Sequence, residues 1–547
     1  MKGFAKKTSF FFLWVGLASL AVNIFMSPAK AICQQRVLLK RPPAIRASFL
    51  LFQPKTTLLG VGDSLTQGTR DATNNRYHLE NAYLQKVAEK LNLVLPLKFN
   101  QAWLDVNGNR LNPLVVPTNL GVDGEDLFSV EGYEYYKRAG SGSNYLSSEY
   151  LCDRLQPYLF TDMHDKILYP INILARKPVS QIDALIWHLN NRTGPAMVIF
   201  WVGNNDAALS SLGLGGKNPE YFPIPLDLIK DKLRPAVSYL LSFGRNLGLL
   251  AFDPFTTSTI EHNLTDISDF TAQFNRLANR INLSRSSVQF FFLTYPYYQE
   301  VGYLMDAEDL AFYLTNKLGY AIPETFSGRV SLLTFFCLYA LAKGGELDRI
   351  APVLLDDSLV VSPGESNLIK ARIDQFNSVV SSLNGRTNVH IVPAGEKLNA
   401  AFSTGVEVNG RLLTRNWGRG SSFSLDGVHP GHTIHAHIAN ILLEEINKVI
   451  PTPAAYWDLA TVMASDPYVD FDGDGWVAGP NLSASGRTKI LYLFKDYQEG
   501  VYGPAVIDTM AVADVWSLIS DALLEEIIGI PLIRTEAERI GVIKLRK

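Results

Sequence analysis

The sequence predicts an α/β protein built on a parallel sheet covered by helices on both faces. Three observations carry this. Short, continuous apolar runs recur along the chain: Thr57 to Val61, Ala196 to Val202 (AMVIFWV), Val288 to Thr294 (VQFFFLT) and Asn388 to Pro393 (NVHIVP). Runs of that length without polar alternation mark strands buried on both faces. Between them lie segments with apolar residues at helical spacing, and alternation of strand with helix argues for a parallel sheet. Several runs end in a glycine-bearing turn, at the carboxyl end where such sheets hold their ligands.

Taken in order, residues 1–31 come first. Lys2, Lys6 and Lys7 precede an apolar run from Phe10 to Met26, closed by Ala29-Lys30-Ala31. That order is a secretory signal with cleavage after Ala31, and export is expected. The run is longer than a usual signal core, so an uncleaved anchor is the alternative. Residues 32–54 form a basic, Pro-containing lead-in. Asn81 to Leu93, Asp266 to Asn282, Glu365 to Leu383 and Thr433 to Val449 read as helices, and Leu114 to Leu120 as a second strand. The main domain thus spans 55–450. Two long, aromatic insertions interrupt it, near 131–177 and 295–355. The second holds Leu332 to Leu341 (LLTFFCLYAL), too short to span a bilayer. It is a buried helix or an apolar lid. After Pro451-Thr452-Pro453 a C-terminal extension occupies 451–547.

Composition excludes several classes. With 547 residues, 47% hydrophobic and 19% charged, the chain is globular. Removing residues 1–31 leaves a net charge of about −7 and no basic block, so no nucleic-acid partner is expected. Three cysteines (Cys33, Cys152, Cys337) without a C-x-x-C pair support neither zinc nor a redox dithiol. Asn191, Asn263, Asn282 and Asn481 begin N-x-S/T sequons.

The chemistry-bearing stretch is Leu58 to Gly68 (LLGVGDSLTQG). A serine at the end of a strand, in a sharp turn before a helix, exposes its hydroxyl and its own N–H to one space. That suits a nucleophile whose amide helps hold an oxyanion. A base is offered by Phe423 to Pro430 (FSLDGVHP), where Asp426 and His429 are three apart in a tight loop. The carboxylate can reach imidazole Nδ1, leaving Nε2 for the serine. Gly124 offers an unobstructed backbone N–H, and Asn205 a side-chain amide, as further oxyanion donors.

These blocks resemble the GDSL or SGNH hydrolases, in that family's order. They are Gly62-Asp63-Ser64-Leu65, then Asn119 to Gly124, then Gly203 to Asp206, then Asp426 to Pro430. The flanks of the last block are similar to those of larger bacterial esterases and lipases. The resemblance covers about Thr57 to Val449, discontinuously. It implies a three-layer, flavodoxin-like α/β/α sandwich with a five-stranded parallel sheet. It also implies ester hydrolysis through Ser64, His429 and Asp426, with an oxyanion hole of Ser64, Gly124 and Asn205. No cofactor is implied for catalysis.

Two metal readings arise from the residues themselves. His432, His435 and His437 have spacings that do not make a good helical ligand pair. Asp470, Asp472 and Asp474 with Gly475 match the first half of a calcium loop. Trp476 would give a carbonyl at the seventh place, and Asn481 stands where a glutamate is usual. Structural calcium and a plain acidic turn are the alternatives. The leading functional expectation is an exported esterase or lipase. A deacetylase of acetylated glycans on the same site and a non-catalytic binding module are the rivals. The expected partner is an ester, from a lipid or an acetylated glycan, with contact to a membrane surface left open.

Overall fold

A computed structural model of the chain describes residues 54–477, apart from 72–73, 106–107, 134–149, 155–162, 214–253, 286, 344, 474 and 476. The expected signal, most of the lead-in and the extension beyond 477 lie outside the described residues.

The strands, in chain order, are β1 (Thr56–Gly62), β2 (Leu97–Lys98), β3 (Ala196–Trp201), β4 (Val288–Leu293), β5 (Leu304–Met305), β6 (Arg329–Ser331), β7 (Val360–Val361), β8 (Val389–Val392), β9 (Val406–Val408) and β10 (Arg411–Leu413). The principal helices are α1 (Ser64–Gln67), α2 (Tyr83–Leu91), α3 (Gln181–Asn191), α4 (Asn205–Ser211), α5 (Ile267–Ile281), α6 (Leu332–Lys343), α7 (Pro363–Ser381), α8 (Ala394–Thr404) and α9 (His432–Ile446).

The central sheet has five parallel strands in the order β2-β1-β3-β4-β8. All of β3, and all of β1 after Thr56, is buried, which is why these strands read as unbroken apolar runs. Helices α2, α8 and α9 pack together on one side, and α3, α5 and α7 on the other. This is the three-layer α/β/α sandwich. Each helix has a local cause. In α2, Tyr83, Leu84, Val87, Ala88 and Leu91 form a buried stripe, and each fully buried Leu or Val contributes about 1.5–3 kcal/mol. Capping boxes start α3 (Ser180 with Asp183) and α7 (Ser362 with Glu365, and Pro363 at the first position).

The second strand differs from expectation. Leu114 is 85% exposed, and the sheet takes Leu97–Lys98 instead. Beyond that short pairing, residues 118–122 run beside the upper half of β1. Leu120 N–H donates to Gly60 O at 2.8 Å and Val122 N–H to Gly62 O at 3.1 Å. The expected strand therefore survives only at its end, where it delivers Gly124 past the tip of β1.

The insertion at 295–355 carries secondary structure of its own. It contributes β5, β6 and helix α6, and β6 pairs with β7 just beyond it to complete the antiparallel sheet β5-β6-β7. In α6, Leu332, Phe335, Phe336, Leu338 and Leu341 are all fully buried, against Tyr313 and Trp417. Of the two readings of this run, the buried helix holds. The described part of the chain after 450 also packs on the domain. Trp457 Nε1–H donates to Lys86 O at 3.0 Å, and Asp466 accepts from Thr433 N–H at 2.7 Å. No helix among the described residues is long and apolar enough to cross a membrane.

Candidate active site

The order of the sheet changes direction between β1 and β3, and the connections leaving these strands diverge to opposite faces. That opens a crevice at their carboxyl ends. Ser64 follows β1, Gly124 lies just past the segment beside β1, and Asn205 opens α4 after β3. The strand ends therefore bring three of the expected residues to one edge.

Ser64 is the first residue of α1 and only 9% exposed. The preceding residue, Asp63, caps this short helix by accepting from Leu65 N–H at 3.0 Å. Its other oxygen accepts from Asn204 Nδ2 at 2.6 Å, and Asn204 Oδ1 in turn accepts from the Tyr298 hydroxyl. Burial pushes the Asp63 carboxyl up to about 7, against the bonds from Asn204 and Leu65 and the charge of His429. Gln181 fixes the tip of β1 from below. Its carboxamide donates to Gly62 O at 2.9 Å and accepts from Gly62 N–H at 3.1 Å. A β-carbon on Gly62 would stand 2.0 Å from Thr66 Oγ1, so the turn tolerates only glycine there.

The oxyanion side is tied to the same turn. Asp123 N–H donates to Gln67 Oε1 at 2.6 Å, and Asn119 Nδ2 donates to Thr66 O at 2.8 Å. Gly124 has φ +81°, a left-handed conformation that favours glycine, and no atom lies within 4 Å of where its β-carbon would be. Its surroundings are thus open to a ligand. Asn205 Nδ2 donates to Glu125 O at 2.8 Å, which anchors the carboxamide beside Gly124. Glu125 is buried and binds His164 Nε2 and Ser129 Oγ, so the first insertion braces this wall from behind.

Asp426 and His429 stand on a closed turn. Asp426 Oδ2 lies 2.7 Å from His429 Nδ1. Its Oδ1 accepts from Ser424 Oγ (3.0 Å), Val428 N–H (2.9 Å) and His429 N–H (2.8 Å). Gly427 has φ +70° and a β-carbon there would meet Tyr303 N at 2.8 Å, because Tyr303 N–H donates to Gly427 O. Burial works to lower the His429 pKa. The charge and bond of Asp426, then the charges of Asp123 and Asp63, outweigh it and hold the imidazole above its ordinary value. Hydrogen bonds from Arg70 Nε to Pro430 O (3.1 Å) and from Leu425 N–H to Asp71 Oδ1 (2.8 Å) tie this loop to the segment that follows the nucleophile turn. Among the described residues no Lys or Arg ion-pairs with Asp63 or Asp123, and burial raises the pKa of both carboxyls.

Sequence reasoning did not single out Asp63, Gln67, Glu125, Gln181 or Asn204 for roles in this wall. Gln67 stands three residues after Ser64 and was within reach of inspection. Gln181 bonds across 119 residues and left no local signal. On α9, His435 Nδ1 accepts from Tyr83 N–H at 3.1 Å, and burial keeps both His432 and His435 well below the ordinary imidazole range. Of the calcium-loop residues, Asp470 is buried, and its carboxylate accepts from Gly473 N–H (2.9 Å) and Gly475 N–H (2.8 Å). Asp474, Trp476 and Asn481 lie outside the described residues. Among the described residues no group of three or more His, Cys, Asp or Glu side chains is placed to hold a metal ion.

The five-stranded parallel sheet, its helical layers and the groups gathered at its crevice are those of an α/β/α-sandwich hydrolase. Residues 58–322 match the family described as GDSL-like Lipase/Acylhydrolase, which supports the resemblance to the GDSL or SGNH hydrolases. The chain is a hydrolase acting on esters. No curated protein matches the chain. The matched span contains Ser64, Gly124 and Asn205. Asp426 and His429 lie beyond it and reach the crevice through the contacts just described.

Proposed function

We propose that this protein is an exported serine esterase or lipase that cleaves carboxylic esters through an acyl-enzyme. The observation that carries the reading is the 2.7 Å contact between Asp426 Oδ2 and His429 Nδ1, on a loop facing the Ser64 turn. Ser64 Oγ attacks the ester carbonyl while His429 Nε2 takes its proton. Asp426 keeps the Nδ1 proton in place and stabilises the imidazolium. The negative oxygen of the tetrahedral intermediate is held by the N–H groups of Ser64 and Gly124 and the carboxamide of Asn205. Collapse expels the alcohol, which takes the proton from His429. A water then repeats the sequence on the acyl-enzyme, releasing the acid and restoring Ser64.

Export rests on the charge, apolar and small-residue order of residues 1–31. The test is a ladder of p-nitrophenyl esters of rising chain length together with one acetylated polysaccharide, for wild type and Ser64→Ala. Ester turnover lost in Ser64→Ala, with a serine-reactive phosphonate on Ser64, supports the assignment. Labelling of another serine with Ser64 spared refutes it. Preference within the ladder separates an acyl-chain ester from an acetylated glycan.

A further inference from the structure

Two consecutive buried residues, Arg70 and Asp71, lie six and seven residues after the nucleophile, and both are fully enclosed. Neither pairs simply with the other. Each reaches across the crevice to the loop that carries Asp426 and His429, and they grip it at its two ends. Arg70 Nε donates to Pro430 O at 3.1 Å, immediately after His429. The other guanidinium nitrogens hold the Arg70 side chain to its own segment, through His78 O at 2.7 Å and Asn81 O at 2.8 Å. At the other end, Asp71 Oδ1 accepts from Leu425 N–H at 2.8 Å, immediately before Asp426. Asp71 N–H donates to Ser424 Oγ at 3.2 Å, and that hydroxyl donates onward to Asp426 Oδ1 at 3.0 Å.

Asp71 Oδ2 is capped by the hydroxyl of Tyr468, a fully buried residue from the segment that follows α9. His78 Nε2 lies 3.4 Å from the same hydroxyl and 3.7 Å from the carboxylate. The backbone of Asp71 has φ +52°, a conformation that L residues adopt reluctantly and that holds where the side chain is firmly bonded. A buried carboxylate is costly in a fold's interior unless its acceptors are filled, and an apolar residue could have occupied the space. Here one carboxylate oxygen takes the N–H of Leu425, the residue before Asp426, and the other takes the Tyr468 hydroxyl, while the Asp71 backbone N–H reaches Ser424.

We propose that Asp71 is a positioning residue for the Asp426–His429 pair, and that Tyr468 locks it. Arg70 and Asp71 together register the base's loop against the segment of the nucleophile. The hydroxyl of Ser424 is the link. Because it accepts from Asp71 N–H, its own proton is aimed at Asp426 Oδ1, which leaves Oδ2 to face His429. Loosening the grip shifts His429 relative to Ser64 without touching the walls that bind the ester. Misplacement of reacting groups by ~1 Å costs on the order of 10² in rate, so the loss falls on kcat. The segment around Tyr468, beyond the last helix of the sandwich, thereby becomes part of the working site.

The proposal rests on the serine-hydrolase reading, which wild-type turnover and its loss in Ser64→Ala test separately. Tyr468→Phe, Asp71→Asn and Asp71→Ala are compared with wild type on one p-nitrophenyl ester. Active sites are counted by the end point of phosphonate labelling, so that kcat is expressed per competent nucleophile. Tyr468→Phe, which removes one hydroxyl and keeps the ring, is expected to lower kcat about tenfold, with KM within twofold. Asp71→Ala is expected to lose about a hundredfold. Asp71→Asn should recover part of that loss, since its carbonyl can still take Leu425 N–H. Melting curves accompany each variant. A merely structural role would lower the melting temperature and the number of labelled sites but leave kcat per site unchanged. Should Asp71→Ala not fold, Tyr468→Phe and Asp71→Asn decide. Both within twofold of wild type in kcat per site, or a loss confined to KM, overturns the proposal.

Discussion

Asp426→Asn tests the chemistry most directly, because its effect can be worked from the bonds around the carboxylate. Oδ1 accepts three hydrogen bonds, from Ser424 Oγ, Val428 N–H and His429 N–H, whereas Oδ2 faces His429 Nδ1. An asparagine must turn one of these positions into an NH2 donor. Three donors converge on the Oδ1 position, so the amide oxygen stays there and the NH2 group faces His429. The imidazole must then present a lone pair at Nδ1 and carry its proton on Nε2, the nitrogen needed to accept the proton of Ser64. The wrong tautomer costs on the order of 10⁴ in kcat, about 5.5 kcal/mol at 1.36 kcal/mol per tenfold. Folding should survive, since the three bonds to the amide oxygen remain.

The pH profile adds a second readout to the same variant. In wild type, burial lowers the His429 pKa but Asp426, then Asp123 and Asp63, raise it above the ordinary imidazole value. The base works when neutral, so kcat/KM should rise with pH through that raised value. In the asparagine variant the leading attractive charge is gone, and the acid limb of the residual activity should move to lower pH. The assay is p-nitrophenyl ester turnover per phosphonate-labelled site from pH 5 to 9. Turnover within tenfold of wild type, or an acid limb that does not move down, refutes the assignment of Asp426.

Asn205→Ala should cut kcat by about 10²–10³ through loss of one oxyanion donor, with little change in KM, and stopped-time ester assays measure it. Gly124→Ala places a methyl in open space at φ +81°, so the protein should fold with a penalty of roughly 1–2 kcal/mol, read by denaturant titration, while turnover falls sharply. Asp123→Asn removes a carboxylate beside Gly124, and turnover of p-nitrophenyl hemisuccinate relative to p-nitrophenyl acetate should rise about fivefold, or ~1 kcal/mol; an unchanged ratio takes Asp123 out of the crevice's field. Calcium at a hundredfold excess over its dissociation constant should stabilise wild type by about 2.7 kcal/mol and Asp472→Ala much less, whereas equal melting of both in calcium and in chelator makes the loop a plain acidic turn.

The parts of this protein that were legible in its sequence are those whose cause is local. Strands β1, β3, β4 and β8 could be read because burial on both faces removes polar alternation from the chain itself. The Asp426–His429 contact could be read because three residues of a glycine-bearing turn suffice to make it. Helices α2, α5, α7 and α9 could be read from apolar residues at helical spacing, whereas α3 was not read. Strand β2 was hidden because two residues carry no period. Residues 114–120 misled because their apolar side chains stand in solvent, with Leu114 85% exposed, and only the last of them reach β1.

Sequence by itself determined the class of sheet, the four blocks and the residue types that meet at the strand ends. Tertiary structure alone decided what holds those residues in register. Tyr468 meets Asp71 across 397 positions, Asp71 meets Leu425 across 354, and Gln181 meets Gly62 across 119. Tertiary structure also settled that α6 is interior, through Trp417 and Tyr313 packed against it. The physical reason is the same in each case. Backbone conformation and turns are set by neighbours along the chain, whereas a buried polar group is set by whichever distant donor or acceptor the fold brings within 3 Å, and no pattern in the chain records that meeting.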